Sequence, residues 1–255
     1  MGRLVKFELS KLPRSLGFII CTVVMVVILF VNVLTMWGMG ELMNELAEEM
    51  GELGGLLQYD MITSVLQAAN NASFTLIAGI VIAISVCSDF SQGTVKNIIC
   101  RGYSRTQLYF SKLISITVMS VIMYFVAILF GFLFGVAFFG FSLPADNSWI
   151  GILAVQFVSA IAIAAFSFFA ASVFRKTSTS ILFIIIVPTV IQVILTVIDL
   201  FAETTLSDYW ISSVFALLSQ SGAEMGRIIS SLIISLIYVA AFVAAGWAIS
   251  RKYSY

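Results

Sequence analysis

Long charge-free stretches dominate this chain, and short segments that hold the charged residues separate them. Six of these stretches exceed the ~20 residues that a helix needs to cross the hydrocarbon core of a bilayer. The pattern predicts an all-α integral membrane protein with six transmembrane helices. The helix cores are expected near residues 16–37, 70–87, 114–139, 150–173, 179–199 and 228–249.

Composition agrees with this fold class. Hydrophobic residues make up 61% of the 255 positions and charged residues only 10%, whereas a soluble domain carries about 25% charged residues. The apolar runs are too long for the ~10-residue strands of an outer-membrane barrel. The chain has no His, which excludes His-based triads, His metal sites and His proton relays. We expect one transmembrane domain over 1–255, with span one retained rather than cleaved as a signal peptide.

The distribution of charge predicts the orientation. Of the 13 Lys and Arg residues, all but Arg227 fall on one side of a six-span chain. The acidic residues cluster on the other side, except Glu8 and Asp89. By the positive-inside rule, both termini and the loop 88–112 are then cytoplasmic. The loops 38–69 and 200–227 are expected outside.

Three segments outside the spans have helical amphipathic patterns. Residues 1–14 predict a basic interfacial helix, for which the alternative is a simple positively charged flank. Residues 41–52 place five Glu on one helical face, which suits either an acidic vestibule for cationic solutes or a solvated face on a capping helix. Residues 200–227 predict one or two short interfacial helices.

The loop 88–112 has apolar positions of its own, at Val95, Ile98, Ile99 and Leu108, interleaved with basic residues. A loop that only supplies positive charge needs no apolar periodicity. We therefore expect it to insert Val95, Ile98 and Ile99 into a groove on a partner protein.

Six spans, a basic N-terminal helix and the segment D-F-x-x-G-T-x-K-N after span two together resemble the type 2 ABC exporter permeases. The matching residues are Asp89, Phe90, Gly93, Thr94, Lys96 and Asn97. In that family this segment is a coupling helix that docks on the ATPase subunit. The resemblance therefore implies an ATPase-coupling role for these residues and for the adjacent Ile98 and Arg101.

The resemblance also implies partners and location. It points to an ATP-binding cassette ATPase subunit and to a homodimer of permeases with two ATPase subunits. ATP and Mg would be bound by the partner, and the complex would lie in a bacterial-type cell (inner) membrane. The substrate class implied is hydrophobic or amphipathic, such as a peptide, lantibiotic or drug.

The residues themselves point to an external energy source. The chain lacks G-x-x-x-x-G-K-[ST], so it has no standard loop for ATP phosphates, and we expect no enzymatic activity, cofactor or metal in the chain itself. It also lacks the mid-membrane carboxylate or Lys that ion-coupled transporters use. No nucleic-acid partner is expected.

Polar residues inside the spans are candidates for a translocation path or for hydrogen bonds between helices, and both interpretations stay open. These residues are Asn32, Asn70, Asn71, Gln156 and Gln192. Pro188 is expected to kink span five.

The sequence thus predicts the permease subunit of an ATP-driven exporter that works by alternating access. The alternative is a regulatory or channel-type membrane subunit that transports nothing itself. An intramembrane enzyme is disfavoured, because the chain has no His, no intramembrane acid pair and no G-x-S-x-G elbow.

Overall fold

A computed structural model describes residues 2–11, 15–50, 60–70, 72–142, 148–202, 205–211, 213–214 and 225–252, and this part of the chain contains no strand. The helices are α1 Gly2–Lys11, α2 Leu16–Met50, α3 Met61–Asn70, α4 Ala72–Ser91, α5 Thr94–Cys100, α6 Arg105–Phe139, α7 Ser148–Phe174, α8 Thr177–Ala202 and α9 Met225–Lys252. A 3-10 helix, Leu206–Tyr209, lies between α8 and α9. Within the described residues, six helical segments are long and apolar enough to cross a membrane, so the predicted fold class is confirmed.

Helix α2 is longer than its predicted core. Its 35 residues span about 50 Å at ~1.5 Å per residue, against ~30 Å for the hydrocarbon core. The predicted outer helix 41–52 is therefore, up to Met50, the continuation of span one. Glu41 is exposed, whereas the side chains of Glu45, Glu48, Glu49 and Glu52 lie outside the described residues.

The second span begins earlier than predicted. Residues 61–69, which the hydropathy pattern places in the outer loop, form most of the short helix α3, and α4 follows it. Met61 and Leu66 are fully buried. Polar residues such as Ser64 lowered the apolar character of this segment, but Ser64 is itself buried and donates hydrogen bonds to Met61 O and Gly131 O.

Glycines on α6 allow α3 to pack this closely. A Cβ at Gly131 would lie 2.5 Å from the Cβ of Ala68, and a Cβ at Gly135 would overlap the Ser64 hydroxyl. The spacing of Gly131 and Gly135 therefore serves a contact within the chain, because only Gly leaves room for the neighbouring backbone.

The helices differ in how much of their surface the fold covers. Helix α7 is the most buried span and α8 the least. Residues from α2, α4, α6 and α7 form the main apolar cluster, and fully buried members include Met25, Ile82, Met119 and Ala162. The uncovered faces of α2, α8 and α9 are lined with large apolar side chains, as expected for helices that contact lipid.

One end of the bundle carries α1, α5 and the α7–α8 connection, and we call it the basic end. Lys96, Arg101 and Arg105 are exposed there, and the Arg175 guanidinium lies over the ring of Phe90. Helix α1 packs against α6 at this end, which confirms the predicted N-terminal helix.

Candidate functional site

Helix α5 is bounded by two turns that need glycine. Gly93 at its N-terminus has φ 68° and Gly102 after its C-terminus has φ 86°, a left-handed conformation that disfavours residues with a Cβ. The next helix starts with a capping box, in which the Ser104 side chain accepts from Gln107 N and the Gln107 side chain accepts from Ser104 N. These turns make α5 a separate element between spans two and three.

Two residues of the apolar face of α5, Val95 and Ile98, are buried inside the chain, so the prediction that they enter a groove on a partner is wrong. Val95 and Ile98 are 2% and 7% exposed and pack with Leu4 of α1 and Leu108 of α6. Ile98 therefore supports α5 from beneath. The physical reason is that α1 packs on the apolar face of α5, so no partner protein is needed to bury it.

The opposite face of α5 is polar and open. Lys96, Asn97 and Cys100 are exposed, as is Arg101 in the turn that follows. Of the residues to which the resemblance gives a coupling role, Lys96, Asn97 and the adjacent Arg101 are thus the exposed ones.

Asp89, at the end of α4, is the centre of a buried ionic cluster. It is 8% exposed and accepts from Lys112 Nζ of α6, and its Oδ1 lies 3.1 Å from Lys11 Nζ of α1. Glu8 of α1 is 5% exposed, and its carboxylate oxygens lie 3.8 Å from Lys11 Nζ and 3.9 Å from Lys112 Nζ. We call Glu8, Lys11, Asp89 and Lys112 the ionic cluster.

The ionic cluster ties three helices together. Burial of charges is costly unless they are paired, and here two cations and two carboxylates balance. Asp89 therefore acts as an internal tether between α4, α1 and α6, close to the start of α5.

Phe90 and Thr94 complete the matched segment. Phe90 lies under the Arg175 guanidinium, whose Cζ is 5.3 Å from the ring centroid, a cation–π contact. Arg175 has φ 55°, so the α7–α8 connection turns sharply at this contact. Thr94 is half-buried and lines a cavity beside the ionic cluster.

That cavity has a volume of about 450 Å³ and is bounded by α1, α4, α5 and α6 together with Ser15. All four members of the ionic cluster line it, as do the hydroxyls of Ser10, Ser15, Ser85, Ser88 and Ser115. Among the described residues, no group of three or more His, Cys, Asp or Glu could hold a metal ion.

The candidate path residues whose side chains the structure describes each bond to a different part of the chain. The Asn32 amide donates to Ile28 O of its own helix. Gln156 is fully buried and donates to Leu66 O of α3 at 3.0 Å, which makes it a link between helices. Asn71 and the side chain of Asn70 lie outside the described residues.

Pro188 and Gln192 both connect α8 to the segment that follows it. Helix α8 continues through Pro188, and Trp210 Nε1 donates to Pro188 O at 3.1 Å. Gln192 accepts from the Ser213 hydroxyl at 2.9 Å. These contacts hold residues 205–211 and 213–214 against span five, and the kink at Pro188 stays a prediction.

Sequence reasoning missed Glu8, Lys11 and Lys112 as parts of the site. A signal was present, because Glu8 and Asp89 are the two acids on the side that holds nearly all the basic residues. Isolated acids among many cations invite the expectation of a specific pairing.

The fold and its apolar surface define a multi-pass, all-α membrane protein. Residues 58–254 match the DUF2705 family, described as proteins of unknown function, and the chain belongs to that family. The chain is also similar to the uncharacterized membrane protein YdbK of Bacillus subtilis (strain 168), at 27% identity over 108 residues. That match covers 40% of this chain and 44% of the relative.

Proposed function

We propose that this chain is the membrane-spanning permease subunit of an ATP-driven exporter. A separate ATP-binding cassette subunit binds ATP and Mg and docks at the basic end, which faces the cytoplasm of a bacterial-type cell. The permease works as a homodimer with two ATPase subunits. It moves a hydrophobic or amphipathic substrate, such as a peptide, lantibiotic or drug, out across the membrane by alternating access.

The exposed face of α5 carries this proposal. A seven-residue helix between two left-handed glycines, resting on Leu4 and Leu108, is an elaborate structure for a loop that only supplies charge. It presents Lys96, Asn97 and Arg101 outward. Because the buried face of α5 packs on α1 and α6, and α5 follows α4 directly, a movement of α5 is transmitted to all three helices.

In this proposal, the ionic cluster transmits the movement of α5 to the transmembrane helices. Asp89 lies in the last turn of α4, three residues before Gln92 of the Gln92-Gly93 turn, and it binds Lys112 two helical turns into α6. A displacement of α5 therefore changes the relative position of α4 and α6. Alternating access needs such a transfer between the docking surface and the helices that surround the path.

Charge reversal on α5 tests the proposal. The double variant Lys96→Glu/Arg101→Glu changes two exposed side chains and leaves the buried face intact. The tagged chain is purified in mild detergent from its own cells, and the copurified ATPase is identified by its phosphate-binding loop sequence and measured by ATP hydrolysis. We expect at least a tenfold loss of ATPase association, about 1.4 kcal/mol.

The matched control is Lys176→Glu, an exposed basic residue at the same end but on the α7–α8 connection. It should retain the ATPase. If no ATPase copurifies with the wild-type chain, or if the double variant retains it at the wild-type ratio, the proposal is wrong. An ATPase that copurifies but is stimulated by no solute would instead identify a regulatory subunit.

A further inference from the structure

Glu8 has acceptor capacity that the described residues do not use. Its Oε1 is buried and accepts no hydrogen bond from the part of the chain that the structure describes. The nearest ammonium groups, on Lys11 and Lys112, are 3.8 and 3.9 Å from its oxygens, beyond hydrogen-bond length. Both lysines donate to Asp89 instead. A buried carboxylate oxygen without a donor is costly, so this position suits a ligand that brings N–H groups and positive charge.

The cavity next to Glu8 is large enough for such a ligand. Its volume is about 450 Å³, and five serine hydroxyls contribute to its walls. It holds two cations and two carboxylates, so their charges already balance. A lone cation or anion would disturb that balance, whereas a ligand with one ammonium and one phosphate preserves it.

The position of the cavity indicates a lipid rather than a soluble compound. It lies beneath α1, at the level where α4 ends and α6 begins. Phe7, which lines it, is 48% exposed, and Leu16 nearby at the start of α2 is 73% exposed. A basic amphipathic helix with exposed apolar residues lies at the head-group depth of a membrane, where acyl chains can cover Phe7 and Leu16.

We propose that this cavity binds the head group of a phosphatidylethanolamine lipid from the leaflet at the basic end. The primary ammonium donates hydrogen bonds to Glu8 Oε1. The phosphate accepts from Lys11, which already lines the cavity, is 36% exposed and has N–H groups besides the one that it donates to Asp89, and from nearby serine hydroxyls. The bound lipid then fixes α1 against α4 and α6.

The choice of head group follows from hydrogen bonding. Phosphatidylcholine has the same phosphate and the same net charge, but its trimethylammonium group has no N–H donor. Phosphatidylglycerol has hydroxyl donors but no positive charge, and it would leave the cavity with excess negative charge. Glu8 therefore favours the primary ammonium over both.

Retained lipids report this preference directly. The chain is placed in nanodiscs made of equal parts phosphatidylethanolamine and phosphatidylcholine. It is then released from the nanodiscs with its bound lipids, and mass spectrometry counts how many molecules of each lipid remain bound. We expect about a tenfold preference for phosphatidylethanolamine, the value of one charge-assisted hydrogen bond. This measurement needs only the wild-type chain, so its outcome does not depend on whether any variant folds.

Glu8→Gln keeps the size of the side chain and removes the charge, and it should abolish the preference. Lys6→Gln is the matched control, because Lys6 lies on α1 but is exposed, and it should bind lipids as the wild type does. A wild-type ratio equal to that of the nanodisc would overturn the proposal, as would a Glu8→Gln variant with unchanged preference.

Soluble phosphoethanolamine separates the two sources of this chemistry. It is added at millimolar concentration to the chain in nanodiscs of phosphatidylcholine alone, and the unfolding temperature is measured. No stabilisation is expected, because the free compound lacks the acyl chains. Stabilisation equal to that by phosphatidylethanolamine would show a soluble ligand and refute the lipid assignment. No ATPase is needed in either experiment, so their outcome is independent of the exporter proposal.

Discussion

At the scale of single residues, the ionic cluster shows how a few charges organise the basic end. Lys112 is 5% exposed and Asp89 is 8% exposed, so neither is well solvated. Their pairing does not by itself make the fold more stable than an apolar contact would. Removing one partner, however, leaves the other charge buried and uncompensated.

Lys112→Met should therefore destabilise the chain strongly. The expected loss is about 3–5 kcal/mol, because Asp89 and Glu8 then share only Lys11. The midpoint of thermal unfolding in detergent measures it. Lys96→Met, on the exposed face of α5, should change the midpoint little.

A double-mutant cycle checks the cause of that loss. If the cost of Lys112→Met comes from the orphaned carboxylate, then adding Asp89→Asn should recover part of it. Strictly additive effects of the two substitutions would show that the side chains do not interact, contrary to the structure.

At the scale of elements, α3 is a short helix whose place depends on the absence of side chains on α6. Gly131→Ala should push α3 away, since the new Cβ would lie 2.5 Å from Ala68 Cβ and 3.4 Å from the backbone oxygen of Ser64. Overpacking of this kind costs about 1–3 kcal/mol, which thermal unfolding detects. Gly151→Ala is the control, because its Cβ would meet its nearest neighbour at 3.7 Å.

The reverse change on the facing helix provides a rescue. Ala68→Gly removes the atom that the new Cβ meets first, so Gly131→Ala/Ala68→Gly should be more stable than Gly131→Ala alone. Equal stability of the two variants would mean that the contact between α3 and α6 is not the source of the cost.

Helix α5 is held from beneath by α1, and Leu4 is the main contact that α1 contributes. Leu4→Ala should loosen α5 by removing buried apolar volume, at a local cost of about 2–5 kcal/mol. Faster hydrogen exchange of residues 94–100 is the measurement. Leu16→Ala, at a position that is 73% exposed, should leave that exchange unchanged.

At the scale of the whole molecule, the orientation in the membrane can be tested with a natural residue. Of the three cysteines, Cys100 is exposed, Cys87 is buried and Cys21 is half-buried. A membrane-impermeant maleimide should modify Cys100 in inverted vesicles but not in intact cells, because the positive-inside rule places the basic end in the cytoplasm.

Thr205→Cys in a Cys100→Ser background should show the opposite pattern. Thr205 is exposed and lies between α8 and the 3-10 helix, at the other end of the bundle. Modification of Cys100 in intact cells would reverse the orientation and place α5 outside, where no ATPase could reach it.

Local information was enough for much of this architecture. The six apolar runs determined the number of spans, because each backbone crossing a bilayer must satisfy its own hydrogen bonds and so forms a helix. The turns at Gly93 and Gly102 that bound α5 are also local features, since glycine adopts positive φ without strain. The orientation, which also follows from the distribution of charge along the chain, stays a prediction.

Only the tertiary structure decided which faces meet. Lys11 and Asp89 are 78 positions apart, and no periodicity in the sequence pairs them. No sequence pattern pairs Leu4 with Ile98 either, and this contact buries the apolar face of α5 inside the chain. Nor does one pair Ala68 with Gly131, a contact that buries the mixed polar and apolar segment α3. The apolar periodicity of a helix shows that one of its faces must be buried. Which neighbour buries that face depends on how all the helices pack together.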